Sequence, residues 1–188
     1  MPNREKGRLS MYSCVKGLAL IWVGMILAAT PAQSESEFSA NIAFILGQRT
    51  MSHSYWSGQG AENMTSVGID AYMGTRRGGL LLGINTSAPS SGSGTDVVEI
   101  DFAGRRYLPI GPVFRPYFSL GVAIFSSDVN SQKDETAGYF ANLGVSFFTR
   151  PVNVGADLRF VAGADGRPGG HNATMNYVQF AVFFGFGR

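Results

Sequence analysis

The amino-acid sequence predicts an all-β protein: an eight-stranded antiparallel up-and-down transmembrane β-barrel, preceded by a cleaved signal peptide. Three observations support this fold class. From Phe38 onward apolar residues recur at every second position, which is the period of a strand. The connections between the predicted strands alternate between short and long. Hydrophobic residues make up 45% of the 188 residues and charged residues only 15%, against about 25% charged in an average soluble domain.

Residues 1–32 have the composition of a secretory signal peptide. Arg4, Lys6, Arg8 and Lys16 precede the apolar run 17–29, and small residues surround a cleavage position after Ala32. The 13 residues of this run are fewer than the roughly 20 that a membrane-spanning helix needs. An uncleaved N-terminal anchor is therefore the less favoured alternative, and the predicted organisation is a signal peptide at 1–32 and a barrel at 33–188.

The charge balance and the single cysteine exclude several function classes. The first 32 residues hold four of the 15 basic and one of the 13 acidic side chains, which leaves 11 basic and 12 acidic ones beyond Ala32. Such a balance gives no support for nucleic-acid binding, which needs clustered cations. Cys14 lies within the predicted signal peptide. We therefore expect neither a disulfide nor a thiolate metal site in the exported chain, and no cofactor.

Alternation defines the eight strands in chain order. The fourth strand is the clearest, with Val98, Ile100 and Phe102 on one parity and Glu99 and Asp101 on the other. The predicted strands are residues 38–49, 64–75, 79–87, 95–107, 114–127, 136–149, 152–162 and 174–187. Compact turns marked by Gly or Pro join them at 76–79, 109–112 and 150–151, and longer polar loops join them at 51–63, 88–94, 128–135 and 163–172. Short turns at one end and long loops at the other are typical of a membrane barrel.

The chemistry of the two strand faces decides which side meets lipid. One face is almost uncharged and carries Ile42, Phe44, Leu46, Val67, Ile69, Met73, Leu80, Leu82, Ile84, Val154, Leu158, Phe160, Val178, Phe180, Val182, Phe184 and Phe186. The other carries Asn41, Asp70, Tyr72, Asn85, Glu99, Asp101, Arg105, Arg115, Tyr117, Asn142, Asn153, Asp157, Arg159 and Gln179. Because the interior of an eight-stranded barrel is only just wide enough for side chains, we expect the large apolar face to point outward. Closure satisfies the backbone polar groups in lipid.

With these features the chain resembles the small eight-stranded outer-membrane barrels, namely OmpA-type transmembrane domains and the opacity-protein class. The resemblance covers Phe38–Phe186 and includes no signature motif. It implies a Gram-negative outer membrane, with both termini on the periplasmic side and the four long loops outside. We also expect a monomer that contacts outer-membrane lipid and lipopolysaccharide. The resemblance also implies insertion by the barrel-assembly machinery, which usually reads a terminal aromatic residue; here Phe186 keeps the aromatic spacing and Arg188 is last.

The same topology implies where residues near the membrane borders lie. Arg76, Arg77 and Arg150 are expected near the periplasmic headgroups. Tyr139 is expected in an aromatic girdle at the outer border, although a simple cross-strand packing role fits its parity equally well.

The interior-facing charges form a candidate lumen network. Its members are Asp70, Glu99, Asp101, Arg105, Arg115, Asp157 and Arg159. They either line a polar path for small solutes or fill the lumen as mutual counter-ions. The narrow lumen favours the second interpretation, because buried charges need partners.

The outer loops contain the candidate contact residues His53, Tyr55, Trp56 and His171. Loops on a rigid scaffold carry recognition, so the predicted role is structural or adhesin-like, toward an extracellular ligand. The main alternative is a lipid A deacylase, another activity found on such barrels, but the stretch 171–174 lacks the expected nearby Ser and carboxylate. A narrow solute channel and a secreted lipocalin-like binder are further alternatives. The two histidines, in neighbouring loops, are too few to predict a metal site.

Overall fold

The computed structural model describes residues 38–89, 95–108, 110–129 and 131–187. The predicted signal peptide with Cys14, most of the predicted loop at 88–94, and Arg188 lie outside these ranges. Within the described ranges no helix has the length and apolar character needed to cross a bilayer.

Eight long strands dominate the chain. They are β1 Phe38–Met51, β2 Asn63–Thr75, β3 Gly78–Pro89, β4 Thr95–Tyr107, β5 Phe114–Val129, β6 Gln132–Thr149, β7 Val152–Ala162 and β10 Tyr177–Gly187. Two very short strands, β8 Asp165–Gly166 and β9 Ala173–Thr174, pair with each other between β7 and β10. A five-residue helix, α1 Ser54–Gly58, lies between β1 and β2, and a 3₁₀ turn, Pro168–Gly170, lies between β8 and β9.

The long strands form one closed antiparallel barrel. Each pairs with its neighbour in the chain, and β1 pairs with β10 from Asn41↔Gly187 to Met51↔Tyr177, which closes the sheet. Closure leaves no strand edge around the wall, so backbone N–H and C=O groups are satisfied between strands. The predicted fold, an eight-stranded up-and-down barrel, is confirmed.

The two faces of the wall differ as the alternation predicts. Outward side chains are large, apolar and exposed: Phe44 is 56% exposed, Leu143 59% and Phe180 56%. Inward side chains combine small and aromatic residues with polar and charged ones, and Glu99 and Asp101 are fully buried. The barrel is therefore apolar outside and polar inside, the inverse of a soluble barrel.

The predicted loop at 128–135 is wrong. Here β5 continues to Val129 and β6 begins at Gln132, and the two strands pair as far as Val129↔Gln132 in a long hairpin. Asp128 faces Lys133 across this hairpin, an opposite-charge pair that suits strands in water. Polar composition therefore indicated exposure and not the absence of a strand. The eighth barrel strand likewise begins at Tyr177 and not at Thr174.

Candidate functional site: the filled interior and its outer cap

The centre of the interior is an ion-pair layer built from opposite walls of the barrel. Strand β1 supplies Arg49, β4 supplies Glu99 and Asp101, and β7 supplies Arg159. Each side chain points inward because its position has the interior parity of its strand, and each is at most 5% exposed. Strand alternation points these two guanidinium groups and two carboxylates into the interior, and strand register with barrel closure brings them together.

Short contacts hold this layer together. Arg49 Nη2 lies 2.6 Å from Glu99 Oε2, and Arg159 donates to both Glu99 and Asp101. Arg159 Nη1 donates to Asp101 Oδ2 over 2.7 Å. The Tyr177 hydroxyl lies 2.8 and 2.7 Å from the two Glu99 oxygens. Glu99 is therefore the hub of the layer, with partners on three other strands.

Aromatic rings and amides complete the environment of the two cations. The Arg49 guanidinium lies 3.8 Å from the centroid of Tyr177, and that of Arg159 lies 3.8 Å from the centroid of Phe140. The Gln179 side-chain oxygen accepts from Arg49 Nη2 over 3.0 Å. Cation–π contacts and hydrogen bonds offset part of the cost of burying charge.

A second polar group lies toward the chain termini. Arg105 contacts Asp70 at 3.6 Å and donates to Ser119 over 3.0 Å, and its guanidinium lies 4.2 Å from the centroid of Tyr117. The Tyr117 hydroxyl donates to Asp157 over 2.8 Å. The Tyr117 ring occupies the space over Gly144, where an added Cβ would come within 2.5 Å of its Cζ atom. Because Gly144 on β6 has no side chain, the Tyr117 ring from β5 fits against it.

Among the described residues, the buried ionisable groups of the two layers do not balance. They comprise three guanidinium groups (Arg49, Arg105, Arg159) and four carboxyl groups (Asp70, Glu99, Asp101, Asp157). Oδ1 of Asp70 has no hydrogen-bond partner. Asp70 is thus the least well paired of the four carboxyl groups.

The structure separates Arg115 from the predicted network. The other six predicted residues lie buried in the interior, whereas Arg115 is half-buried at the terminus end. Its guanidinium lies 4.7 Å from the Phe148 centroid and donates to the Pro112 carbonyl. The reason is its position, the second residue of β5, which is too close to the barrel end to reach the acids.

Arg49 is a buried charged residue of the interior that the sequence prediction missed. It shares parity with the inward-facing Asn41 and Ala43, so continued alternation along β1 was a usable signal. The predicted strand ended at residue 49, at the start of a polar loop, whereas β1 continues to Met51.

An apolar cap closes the end of the barrel opposite the termini, where the predicted outer loops lie. Trp56 of α1 is fully buried, and its Nε1 donates to the Thr174 carbonyl over 2.7 Å. Buried side chains beneath the long loops complete the cap: Met51, Ala61, Met64, Val97, Val129, Ala164 and Met175. Trp56 was predicted as a contact residue, but its burial makes it a support for the loops. Its ring fills the mouth of the barrel because the last loop folds over it.

The other outer-loop candidates surround Tyr55. The Tyr55 ring contacts Trp56 edge-on with centroids 5.3 Å apart, and its centroid lies 5.6 Å from that of His171. Partial burial raises the pKa of the Tyr55 phenol, which therefore stays protonated. His53 caps α1 through Nδ1, which accepts from the Tyr55 backbone N–H over 3.1 Å. Both histidines thus flank Tyr55, on neighbouring loops.

Beside His53 an open cleft of about 420 Å³ reaches the outer surface. It is lined by His53, Asp165, Gly166, Arg167, Asn172, Ala173 and Thr174. Among the residues that the structure describes, no group of three or more His, Cys, Asp or Glu side chains is placed to hold a metal ion.

Comparisons with known proteins identify the fold. No family model and no curated protein matches the chain. Among solved structures, it is similar to Neisserial surface protein A (NspA), with 13% identity, a TM-score of 0.56, and 82% of this chain and 98% of that chain covered. It is also similar to the outer membrane protein OprG from Pseudomonas aeruginosa, with 12% identity, a TM-score of 0.58, and coverage of 84% and 99%.

A third similar structure is Ail, the attachment invasion locus protein of Yersinia pestis. The identity is 11%, the TM-score 0.52, and the coverage 82% of this chain and 100% of that chain. These likenesses agree with the closed barrel and its apolar exterior. The chain has the fold of the small eight-stranded outer-membrane β-barrels.

Proposed function

We propose that this protein is an integral barrel of a bacterial outer membrane and that it has a structural or adhesin-like role through its outer end. The observation that carries the proposal is the outer wall. Large apolar side chains are exposed on every one of the eight long strands, for example Leu46, Ile84 and Leu158. A continuous apolar surface of that extent marks contact with a membrane or a protein. Its cylindrical arrangement around a polar interior fits lipid.

The interior argues against a secreted lipocalin-like binder. Such a barrel would hold an apolar ligand cavity and present charge to water. In this chain the buried charged residues Glu99, Asp101 and Arg159 occupy the centre instead. These buried charges at the centre also favour a structural role for the interior, as a plug, and not a path for small solutes.

The outer end forms a connected surface on which recognition residues are held in place. The Ser52 N–H donates to the Asn176 carbonyl over 2.9 Å, which ties the first loop to the last. The Arg167 N–H donates to Asp134, which ties the last loop to the β5–β6 hairpin. Pre-ordered loops lose less conformational entropy on binding. We propose His53, Tyr55 and His171 as contact residues on this surface.

The charge of the outer end favours a cationic partner. Its described loops and strand ends carry the acidic residues Glu62, Asp96, Asp128, Asp134, Glu135 and Asp165 and the basic residues Lys133 and Arg167. A structure of Ail in complex with the heparin analogue sucrose octasulfate is similar to this chain, with a TM-score of 0.52. Excess negative charge at this outer end repels such a polyanion. We therefore propose a basic protein surface as the partner and not a sulfated saccharide.

We propose no catalytic role. The deacylase alternative requires a histidine activated by a carboxylate and placed beside a serine. His53 instead uses Nδ1 as a helix cap, and the His171 ring packs against Tyr55. The further parts of the proposal are a monomeric barrel, insertion by the barrel-assembly machinery, and contact with outer-membrane lipid and lipopolysaccharide.

The first test is membrane fractionation followed by gel electrophoresis of boiled and unboiled samples. A folded barrel in the outer-membrane fraction migrates differently before and after boiling. Recovery in the soluble fraction with a single mobility contradicts the proposal. Mass spectrometry of lipid A from expressing cells tests the deacylase alternative, and loss of an acyl chain would establish it.

The second test is the accessibility of each barrel end in intact cells. Ser57→Cys places a thiol on the exposed outer helix, and Ile110→Cys places one in the exposed turn at the terminus end. A membrane-impermeant maleimide is expected to label the Ser57→Cys variant in intact cells and the Ile110→Cys variant only after lysis. The unsubstituted chain is the control. Reversed labelling contradicts the proposed orientation and with it the surface role.

A further inference from the structure

We infer that the barrel wall carries a binding site for an anionic phospholipid at its terminus end, with the phosphate at Arg77 and Arg106 and an acyl chain in a notch over Gly104. This inference rests on the proposed insertion in a membrane. It adds a specific lipid class and a specific place on the wall.

The notch is produced by a glycine within an apolar row. Along the outer face of β4 the side chains Ile100 and Phe102 are followed by Gly104 and then by Arg106. Gly104 pairs with Leu80 on β3 and with Leu120 on β5, and both leucines are exposed, at 46% and 44%. A Cβ added at Gly104 would meet no atom within 4 Å. The wall thus has an empty position between two leucines.

Two arginines lie at the terminus-side end of this notch. Arg106 is the next outward residue after Gly104, and it pairs with Gly78, which has no side chain to cover it. The Arg77 carbonyl accepts from the Tyr107 N–H over 2.8 Å, so the backbone of Arg77 is adjacent to β4 at this point. Both arginines are exposed. Two guanidinium groups at the border of an apolar wall are suited to a phosphate whose acyl chains continue along that wall.

The charge of this end selects an anionic lipid. Residues 72–80, 106–118 and 146–153 contain five arginines and no Asp or Glu; the arginines are Arg76, Arg77, Arg106, Arg115 and Arg150. A zwitterionic headgroup would bring its ammonium group into this positive field, whereas phosphatidylglycerol brings only negative charge. The outer end of the barrel is acidic, so the preference is confined to the terminus end.

The test is a competition between two lipids on the purified full-length barrel in detergent micelles. Phosphatidylglycerol and phosphatidylethanolamine with identical acyl chains are added in equal amounts, and native mass spectrometry counts the lipids retained per barrel. The unsubstituted protein is expected to retain phosphatidylglycerol preferentially. The preference is expected to fall with added salt, because exposed charges are screened.

Variants assign the site. Arg77→Gln with Arg106→Gln is expected to lower the retention ratio of phosphatidylglycerol to phosphatidylethanolamine by about 25-fold, since each cation near an anionic lipid contributes roughly fivefold. Gly104→Leu fills the notch and leaves the arginines intact, so retention of both lipids is expected to fall. The control is Lys133→Gln with Arg167→Gln, which removes the same charge from the outer end and is expected to change nothing.

Several results would overturn the inference. They are an unchanged ratio in the Arg77 and Arg106 double variant, an equal loss in the outer-end control, unchanged retention after Gly104→Leu, or a preference in the unsubstituted protein that salt does not affect. Unboiled gel mobility verifies that each variant is folded. Insertion of the purified barrel into lipid vesicles is measured separately. Failure to insert contradicts the proposed function itself, whereas a barrel that inserts but shows no lipid preference contradicts only this inference.

Discussion

The guanidinium of Arg49 lies 2.6 Å from the carboxylate of Glu99 in the buried interior. Arg49 belongs to β1 and Glu99 to β4, which are not neighbours in the sheet. The ion pair therefore crosses the lumen and ties together parts of the wall that no backbone ladder joins. Because Arg159 approaches the same carboxylate from β7, the stability of the barrel depends on Glu99 more than on any rim charge.

Glu99→Gln is expected to lower the free energy of unfolding by about 3–5 kcal/mol, because it leaves the buried Arg49 guanidinium without its carboxylate partner and Arg159 with Asp101 alone. Urea titration in micelles, followed by the unboiled gel mobility, measures the change. Glu135→Gln is the matched control: Glu135 is exposed, and its substitution is expected to change stability by less than about 0.5 kcal/mol. Equal effects of the two substitutions would contradict the central role of Glu99.

Asp70→Asn is expected to keep the unfolding free energy within about 1 kcal/mol of the unsubstituted protein. Asp70 has one oxygen without a partner and only a 3.6 Å contact to Arg105, in an interior with one more carboxyl than guanidinium group. Asp101→Asn, which removes charge from the carboxylate held by Arg159, is expected to cost about 3–5 kcal/mol. The same urea titration compares them, and a larger loss for Asp70→Asn would refute this ranking.

Gly144→Ala is expected to destabilise the barrel by about 1–3 kcal/mol, because the added Cβ meets the Tyr117 ring and displaces its hydroxyl from Asp157. Gly104→Ala adds the same atom on the outer wall, where nothing lies within 4 Å. We expect no loss of stability from the second change. Denaturant midpoints of the two variants give the comparison, and similar midpoints would show that interior packing at Gly144 is loose.

The unsubstituted barrel is expected to give no steady conductance in planar lipid bilayers. The apolar cap around Trp56 closes the outer mouth, and the ion-pair layer fills the centre. The main effect of Glu99→Ala is expected to be a lower free energy of unfolding, with little change in conductance. Arg115→Ala is expected to leave conductance unchanged. Large, long-lived openings in the unsubstituted protein would contradict the plug interpretation.

Trp56→Phe is expected to increase protease cleavage within residues 163–172 without disrupting the barrel. The substitution removes the hydrogen bond from Nε1 to the Thr174 carbonyl, worth about 1 kcal/mol. Limited proteolysis of the membrane-inserted protein reports the cleavage rate. Tyr55→Phe is the control, because it keeps that hydrogen bond and the aromatic stack. Equal cleavage of both variants would show that Trp56 does not hold the last loop.

The alternation of apolar and polar residues along the sequence determined which side chains face outward over most of the barrel wall. In a strand every second side chain shares a face, so the positions of Val98 and Glu99 in the sequence are enough to place them on opposite sides. The width of an eight-stranded barrel then leaves one arrangement for the large apolar set. The same rule failed at Lys133 and Glu135, because a hairpin that rises into water has no apolar face to reveal it.

The tertiary structure alone decided which interior and loop residues meet. Contacts such as Arg49 with Glu99, or Trp56 with Thr174, join residues 50 and 118 positions apart, and they depend on strand register and barrel closure. Periodicity predicts the face on which a side chain lies but contains no information about its height relative to a distant strand. For that reason Arg115 appeared in the predicted network, whereas Arg49 was missed because the predicted strand ended at that residue. The sequence by itself determined a barrel with an apolar outer wall and a charged interior. Closure of the sheet decided how those charges pair and which side chains cover the end of the barrel.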